Sequence, residues 1–294
     1  MERFTPVTDD VLLLKVPFAV VWTGVVLVLD DDGPILVDSG GSAETVDSTI
    51  VPALRALGLE LSDIRCVLAT HIHGDHVGGI ARMRELAPSI SVGVLRESRQ
   101  RMRDPHRYSR EIRARFPEHS PEPPAVLDGV EPDLLLDDGD LVGPLRVIHT
   151  PGHDVDACCF FDTRSGTLIT GDSLQLNGTL SQGCALLFDP ARYLTSLHRL
   201  LDLPVQNIVC GHPYLPLGEL AIGEREARKF LATCIGCYEH DRGLVAGMAS
   251  AGVTDPLAVA RALVAQVGGA EPEKMFLPMH TVAAYQEAAE KEQS

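Results

Sequence analysis

"THIHGDHVGG", Thr70 to Gly79, sets three histidines and an aspartate within six positions. Imidazoles and a carboxylate crowded so closely compete for protons unless a cation binds between them. His71 and His73 alternate, so on extended backbone both face the same side. Gly74 then lets the chain turn back on itself and bring Asp75 and His76 round. One metal cannot easily take all four groups, so this stretch reads as half of two adjacent sites. The run "CVLAT" just before it is apolar and short, a buried strand whose end delivers the cluster.

The remaining ligands then belong at other strand ends. "HTPGHD" puts His153 after a strand and a Pro-Gly turn, "LITGDS" puts Asp172 at a strand end, and "IVCGHP" does the same for His212. A glycine precedes each of the three, which lets backbone come close to a metal. Asp38, in "PILVDSG", sits where it can orient a ligand or the metal loop from behind, or simply form a turn.

The same alternation of apolar runs and helical patterns continues outward. "VLLLKV" and "VVLVLD" read as paired strands and "PILVDSG" as a third. Residues 42–58 carry Val46, Ile50, Leu54 and Leu57 at helical spacing behind a Ser42 N-cap, and Pro52 must start a fresh helix or kink this one. Residues 77–87 predict a helix with Ile80, Met83 and Ala87 inward. "LRVIHT", "CCFFD", "TLIT" and "NIVCG" repeat the strand rhythm, and residues 190–203 predict a helix striped by Tyr193, Leu194, Leu197 and Leu201. Strands then helices, twice over, imply an α/β fold of two halves packed face to face with helices outside. Residues 1–220 form this core. Residues 221–294 are almost wholly helical and alanine-rich, a C-terminal helical extension of the same domain. Residues 96–124 stand apart: eight arginines lie between Arg96 and Arg115, followed by "FPEHSPEPP". An insertion of this kind beside a site is a candidate lid.

The ordered set H-x-H-x-D-H, P-G-H, G-D and G-H resembles the metallo-β-lactamase superfamily, over roughly residues 11–218. The resemblance implies an αββα sandwich with the site along one edge of the facing sheets. It assigns His71, His73 and His153 to one metal and Asp75, His76 and His212 to the other, with Asp172 bridging. The implied cofactors are two Zn2+ ions, with Fe or Mn as alternatives. Two metals sharing a carboxylate can also hold a bridging water and lower its pKa towards neutrality. Asp75 is the expected catalytic residue, orienting the resulting hydroxide and carrying its proton onward.

The function expected on these grounds is hydrolysis of a thioester, ester or lactone, with a small acyl molecule as substrate. One alternative is a polyketide cyclase with thioesterase activity on chains bound to acyl carrier protein, as in aromatic antibiotic biosynthesis; another is a non-catalytic metal-binding regulatory protein. The Arg96–Arg115 run is a solvated helix face, or a dock for coenzyme A phosphates or an acyl carrier protein. Lactonases of the family often have a tyrosine soon after the bridging aspartate, and "GDSLQLNG" has none; Tyr214 could supply a hydroxyl near the carbonyl instead, or could pack. "YEHDRG" is a poor match to the basic C-terminal groups with which glyoxalase-type thioesterases bind glutathione.

The chain has 294 residues, is 45% hydrophobic and 22% charged, and balances 25 lysines and arginines against 41 acids for a net charge of −16. That balance opposes nucleic-acid binding, which needs a basic surface. No run is apolar and long enough to span a membrane, and "MERFTPVTDD" lacks the basic and apolar regions of a secretory signal, so a cytoplasmic address is expected. Seven cysteines lack the spacing of a disulfide framework, and reduced thiols are expected. Cys158 and Cys159, adjacent on a strand, should point to opposite faces. Cys234, Cys237 and His240 read as one helix face rather than a zinc site.

Overall fold

The computed structural model describes residues 2–124, 126–268 and 271–293. Strands β1 (Thr5–Pro6), β2 (Val11–Phe18), β3 (Val21–Val28), β4 (Ile35–Val37), β5 (Cys66–Leu68), β6 (Ser91–Leu95) and β7 (Leu134–Leu136) form a seven-stranded sheet in sequential order. Strands β8 (Leu141–Val142), β9 (Leu145–His149), β10 (Cys158–Asp162), β11 (Thr167–Gly171), β12 (Asn207–Tyr214) and β13 (Gly218–Ile222) form a second sheet of six, again in sequential order. "VLLLKV" and "VVLVLD" do pair, antiparallel, with Leu13 opposite Val26. The second sheet runs to Ile222, just past the boundary expected at residue 220.

Five longer helices complete the layers: α1 (Pro105–Ala114), α2 (Pro190–Leu201), α3 (Glu224–Ser250), α4 (Pro256–Gln266) and α5 (Phe276–Gln293). Strand alternation explains the packing. Leu13, Val26, Cys158, Phe160, Ile169 and Val209 point between the sheets, where they form the central core. Leu14, Val25, Val67 and Val92 point the other way, onto Ile50, Leu54, Ile80 and Met83. Cys159 and Phe161 face Tyr193, Leu197, Phe230 and Leu263 of α2, α3 and α4. The result is the expected αββα sandwich, with the C-terminal helices covering the second sheet. Cys158 and Cys159 face opposite sides as alternation requires, and all seven cysteines are free thiols.

Two local expectations need correction. Ser42 does cap a helix, and Pro52 stands in the first turn of a fresh helix, Val51–Arg55, after a widened turn at Val46–Ile50, but that helix ends at Arg55. Leu57 therefore lies beyond the helix and is exposed. Near the end of α2 Leu200 is fully buried, and Leu201 packs half-buried against the same core. Finally, the glycine-led return after His73 is a single helical turn, Gly74–Val77, and the next helix begins only at Ile80.

Strands β4, β5, β9, β11 and β12 all run the same way within their sheets. Their C-terminal ends deliver Asp38, His71, His153, Asp172 and His212, and the amide of Cys158 donates to the Thr70 carbonyl at 2.8 Å to tie the two sheets together there. One edge of the sandwich thus collects the candidate residues. No helix among the described residues is long and apolar enough to cross a membrane.

Candidate metal centre

The helical turn Gly74–Val77 fits against the Ser39–Gly41 loop only because Gly78 carries no side chain; a Cβ there would collide with the Gly41 carbonyl. This packing aims His76 back towards His71, with ring centroids 4.2 Å apart. A Cβ at Gly211 would come within 2.5 Å of Asp172 Oδ1 and 2.8 Å of the His76 ring. Gly211 therefore makes room for neighbouring site side chains, a more local job than the close metal approach expected from the sequence.

All seven sequence-predicted ligands come together. His71, His73, His153 and Asp172 bring one ligand atom each within 4.8 Å of one another, and Asp75, His76 and His212 do the same beside them. Asp172 faces both groups. Its Oδ2 is 3.7 Å from His153 Nε2, while its Oδ1 is 3.2 Å from His76 Nε2 and 3.7 Å from His212 Nε2. Asp75 Oδ2 lies 3.0 Å from His212 Nε2.

Each imidazole is oriented by what its outer nitrogen meets. His76 Nδ1–H donates to Asp38 Oδ2 at 2.7 Å, His153 Nδ1–H to the Leu186 carbonyl at 2.8 Å and His212 Nδ1–H to the Trp22 carbonyl at 2.7 Å. His71 Nδ1–H donates to Thr70 Oγ1 at 3.0 Å, and Thr70 Oγ1–H donates in turn to Asp38 at 2.9 Å. These partners fix the tautomers, so that the inner Nε2 atoms point their lone pairs into the cluster. His73 is turned the other way: its Nδ1 faces His153 Nε2 at 3.1 Å and its Nε2 lies 3.2 Å from Asp154 Oδ2. Asp38, held at positive φ, also accepts from the Thr70 amide at 2.8 Å, so it orients both a ligand and the loop.

Whether this donor set suits metal ions can be tested on the chain itself. His71 Nε2 is buried without a hydrogen-bond partner, which is costly unless a cation takes its lone pair; His76 Nε2 and Asp172 Oδ1, also buried, have only each other at 3.2 Å. Ligand atoms of a tetrahedral zinc shell stand about 3.4 Å apart, and the spacings of 3.0–3.7 Å above bracket that value. The residues fit. Burial, reinforced by neighbouring imidazoles, pushes the His71 pKa well down and that of His153 to about 3, leaving both neutral as ligands must be. Burial also opposes the charge on His76, but Asp172, Asp75 and Asp38 outweigh it and hold its pKa well above 6.5. For Asp75 burial is likewise overcome, here by His76 and His212, which keep the carboxyl ionised.

Tyr214 is fully buried edge-on to His212, with ring centroids 5.9 Å apart, and does not line the cavity above the cluster. Its ring packs behind His212, and burial together with nearby Asp172 pushes the pKa of its hydroxyl up. Cys234, Cys237 and His240 lie along α3 and form no ligand cluster among the described residues.

Four residues escaped the sequence reading: Gln175, Arg101, Tyr108 and Asp154. Gln175, fully buried, donates to Asp172 Oδ2 at 3.3 Å and accepts from the Leu186 amide at 2.6 Å. Arg101 reaches Asp154 at 2.8 Å and Asp156 at 3.2 Å, and its guanidinium lies 4.0 Å from the Tyr108 ring centroid. Tyr108 in turn stacks over His73 at 6.0 Å. The signal for Asp154 was present, a carboxylate directly after a ligand histidine in "GHDVD"; Arg101 and Gln175 had none.

A cavity of about 480 Å3 opens over the cluster. His73, Asp75, His153, Asp172 and His212 form its floor; Tyr108, Ile112, Leu127, Phe276 and Leu277 are among its apolar walls. The 96–124 segment and α5 thus shape the space above the floor.

The family described as the metallo-beta-lactamase superfamily matches residues 20–212. The uncharacterised protein YobT of Bacillus subtilis (strain 168) is 35% identical over 45% of this chain and 54% of its own. A hydroxyacylglutathione hydrolase of Cereibacter sphaeroides is 30% identical over 63% of this chain and 64% of its own. The chain therefore spans somewhat over half the length of these two curated relatives. Among solved structures, a metallo-beta-lactamase family protein of Thermus thermophilus superposes with a TM-score of 0.74 at 21% identity, covering 98% of this chain and 95% of that one.

Proposed function

The chain belongs to the metallo-beta-lactamase superfamily, and on that premise we propose that it is a dinuclear, zinc-dependent hydrolase of a thioester, ester or lactone. The observation that carries this is Asp172: one carboxylate turns its two oxygens towards two separate ligand groups. Similarity to a hydroxyacylglutathione hydrolase supports a thioester among the candidate bonds.

His71, His73 and His153 would hold one ion, Asp75, His76 and His212 the other, and Asp172 both. When bound, such a pair supplies Lewis acidity, polarising an acyl carbonyl and making water nucleophilic near neutral pH. Asp75 is kept ionised and lines the cavity floor, so its Oδ2 is placed to accept a proton from an attacking water and pass it to the leaving group. Gln175 and Asp38 keep their neighbours from turning away. The apolar walls exclude bulk water around the acyl portion.

The test is metal analysis together with hydrolysis of neutral thioesters, followed by thiol release. About two metals per chain, activity lost on chelation and restored by zinc are expected. Full metal content with no turnover of thioesters, esters or lactones would leave a binding protein instead.

A further inference from the structure

The arginine run is less a patch than a set of clasps. Arg96 pairs with Asp137, Arg99 and Arg103 with Glu131, Arg101 with Asp154 and Asp156, Arg107 with Glu111, and Arg115 with Glu287. Arg113 differs from these. No carboxylate among the described residues lies within ion-pair distance of it; its Nη1 donates to the Ser109 carbonyl at 2.8 Å and hydroxyl at 2.6 Å, and its Nε has no acceptor. The guanidinium lies 5.5 Å from the centroid of the Phe276 ring and lines the cavity over the metal cluster. Burial alone acts on it, lowering its pKa.

A half-buried guanidinium without a counter-charge is unfavourable until an anion arrives. Among the residues lining the cavity it is the one lysine or arginine, and the surrounding wall is mostly apolar. Pockets of this kind use a few placed polar groups to fix orientation. We propose that Arg113 receives a carboxylate of the substrate, so that the cavity takes a thioester or ester whose apolar body carries one carboxylate. One guanidinium matches one carboxylate in charge and fork geometry. Tyr108 stacks over His73, and Arg113 follows on the same helix, α1, so that both line the cavity above the cluster.

This inference rests on the hydrolase reading, so its test has two readouts. The first compares kcat/KM for the N-acetylcysteamine thioester of adipic acid with that of its methyl ester, and for a hexanoyl thioester of 3-mercaptopropionate with that of its methyl ester. The acid should be preferred roughly ten- to a hundredfold in one of the two pairs, which also tells whether the charge lies in the acyl or the thiol part. In Arg113→Gln the ratio of acid to ester should collapse towards one, chiefly through KM, and Arg113→Lys should keep an intermediate ratio. The second readout is calorimetric binding of monomethyl adipate to the metal-loaded protein, which needs no turnover; Arg113→Gln should weaken it about tenfold or more. Absence of turnover with Arg113-dependent binding would refute the hydrolase and keep the anion site. Equal ratios in wild type and Arg113→Gln, or identical monomethyl adipate affinities, would overturn the proposal.

Discussion

The floor and the roof of the cavity are built on different principles. The floor consists of side chains at strand ends, and nearly every imidazole there has its outer nitrogen fixed by a carboxylate, hydroxyl or carbonyl of the chain. The roof consists of helices α1 and α5, whose Tyr108, Ile112, Phe276 and Leu277 present mostly apolar surface to the cavity, and of the loop around Leu186, which is tied to the floor through His153 and Gln175. A floor rigidly tied to two sheets can keep one chemistry, while a roof on separate helices can change what is admitted. The difference implies that floor substitutions should cost metal and turnover together, and roof substitutions should cost substrate affinity.

The largest effect should come from Asp172→Ala. Both ligand groups lose a shared oxygen donor, so metal content should drop well below that of the wild type and hydrolysis should fall by roughly a thousandfold or more. Plasma emission analysis beside steady-state kinetics reads both. A variant with undiminished metal and activity would remove the bridging role.

Arg101 is where the comparison can break, because this residue of the 96–124 segment props the floor through Asp154 and His73. Arg101→Met leaves Asp154 and Asp156 as neighbouring buried carboxylates; the Asp156 pKa already stands at about 6 through burial and the charge of Asp154. Asp154→Asn keeps the shape and removes the charge facing His73. Each should lower metal affinity about ten- to a hundredfold, as outer partners of ligands do, measured by competition with a chelating dye. Unchanged affinity in both would separate roof from floor completely.

Ile112→Ala and Leu277→Ala sharpen the comparison from the roof side. Each removes apolar wall without touching a ligand partner. KM for an apolar thioester should rise roughly three- to tenfold, in line with about 1 kcal/mol for a truncated apolar contact, with metal content intact. A fall in metal content instead would mean the roof supports the floor more widely than through Arg101.

Floor and roof also differed in how far the sequence exposed them. The candidate ligands were legible because metal chemistry restricts residue type, and the strand ends that carry them follow from short apolar runs. Partners such as Gln175 and Arg101 were not, since their role depends on which distant segments meet; Arg101 and Asp154 are 53 positions apart. The ion pairs of the arginine run were hidden for the same reason. Only Arg107 and Glu111 pair at helical spacing, while Glu131, Asp137 and Glu287 come from far along the chain. The turn at Pro52 and the exposed Leu57 show a further limit: periodicity marks a buried stripe but not where a backbone break ends it.

The last effect, on stability with activity untouched, tests whether the helical layer behind the second sheet tolerates charge as the floor does. Asp241, on α3, is buried, and burial raises its pKa to about 6 against the opposing influence of His240. In the unfolded chain the carboxyl titrates near 3.8, so between about pH 4 and 6 unfolding releases a proton that the folded state retains. Folded stability from this group therefore falls as pH rises through that window and stays level above it. Asp241→Asn abolishes the change. Its advantage over wild type should be negligible near pH 4, grow towards pH 6, and level off at up to about 3 kcal/mol. Melting temperatures across pH 4–8 measure this. Parallel curves for the two proteins would mean that Asp241 is as well compensated as the carboxylates of the floor.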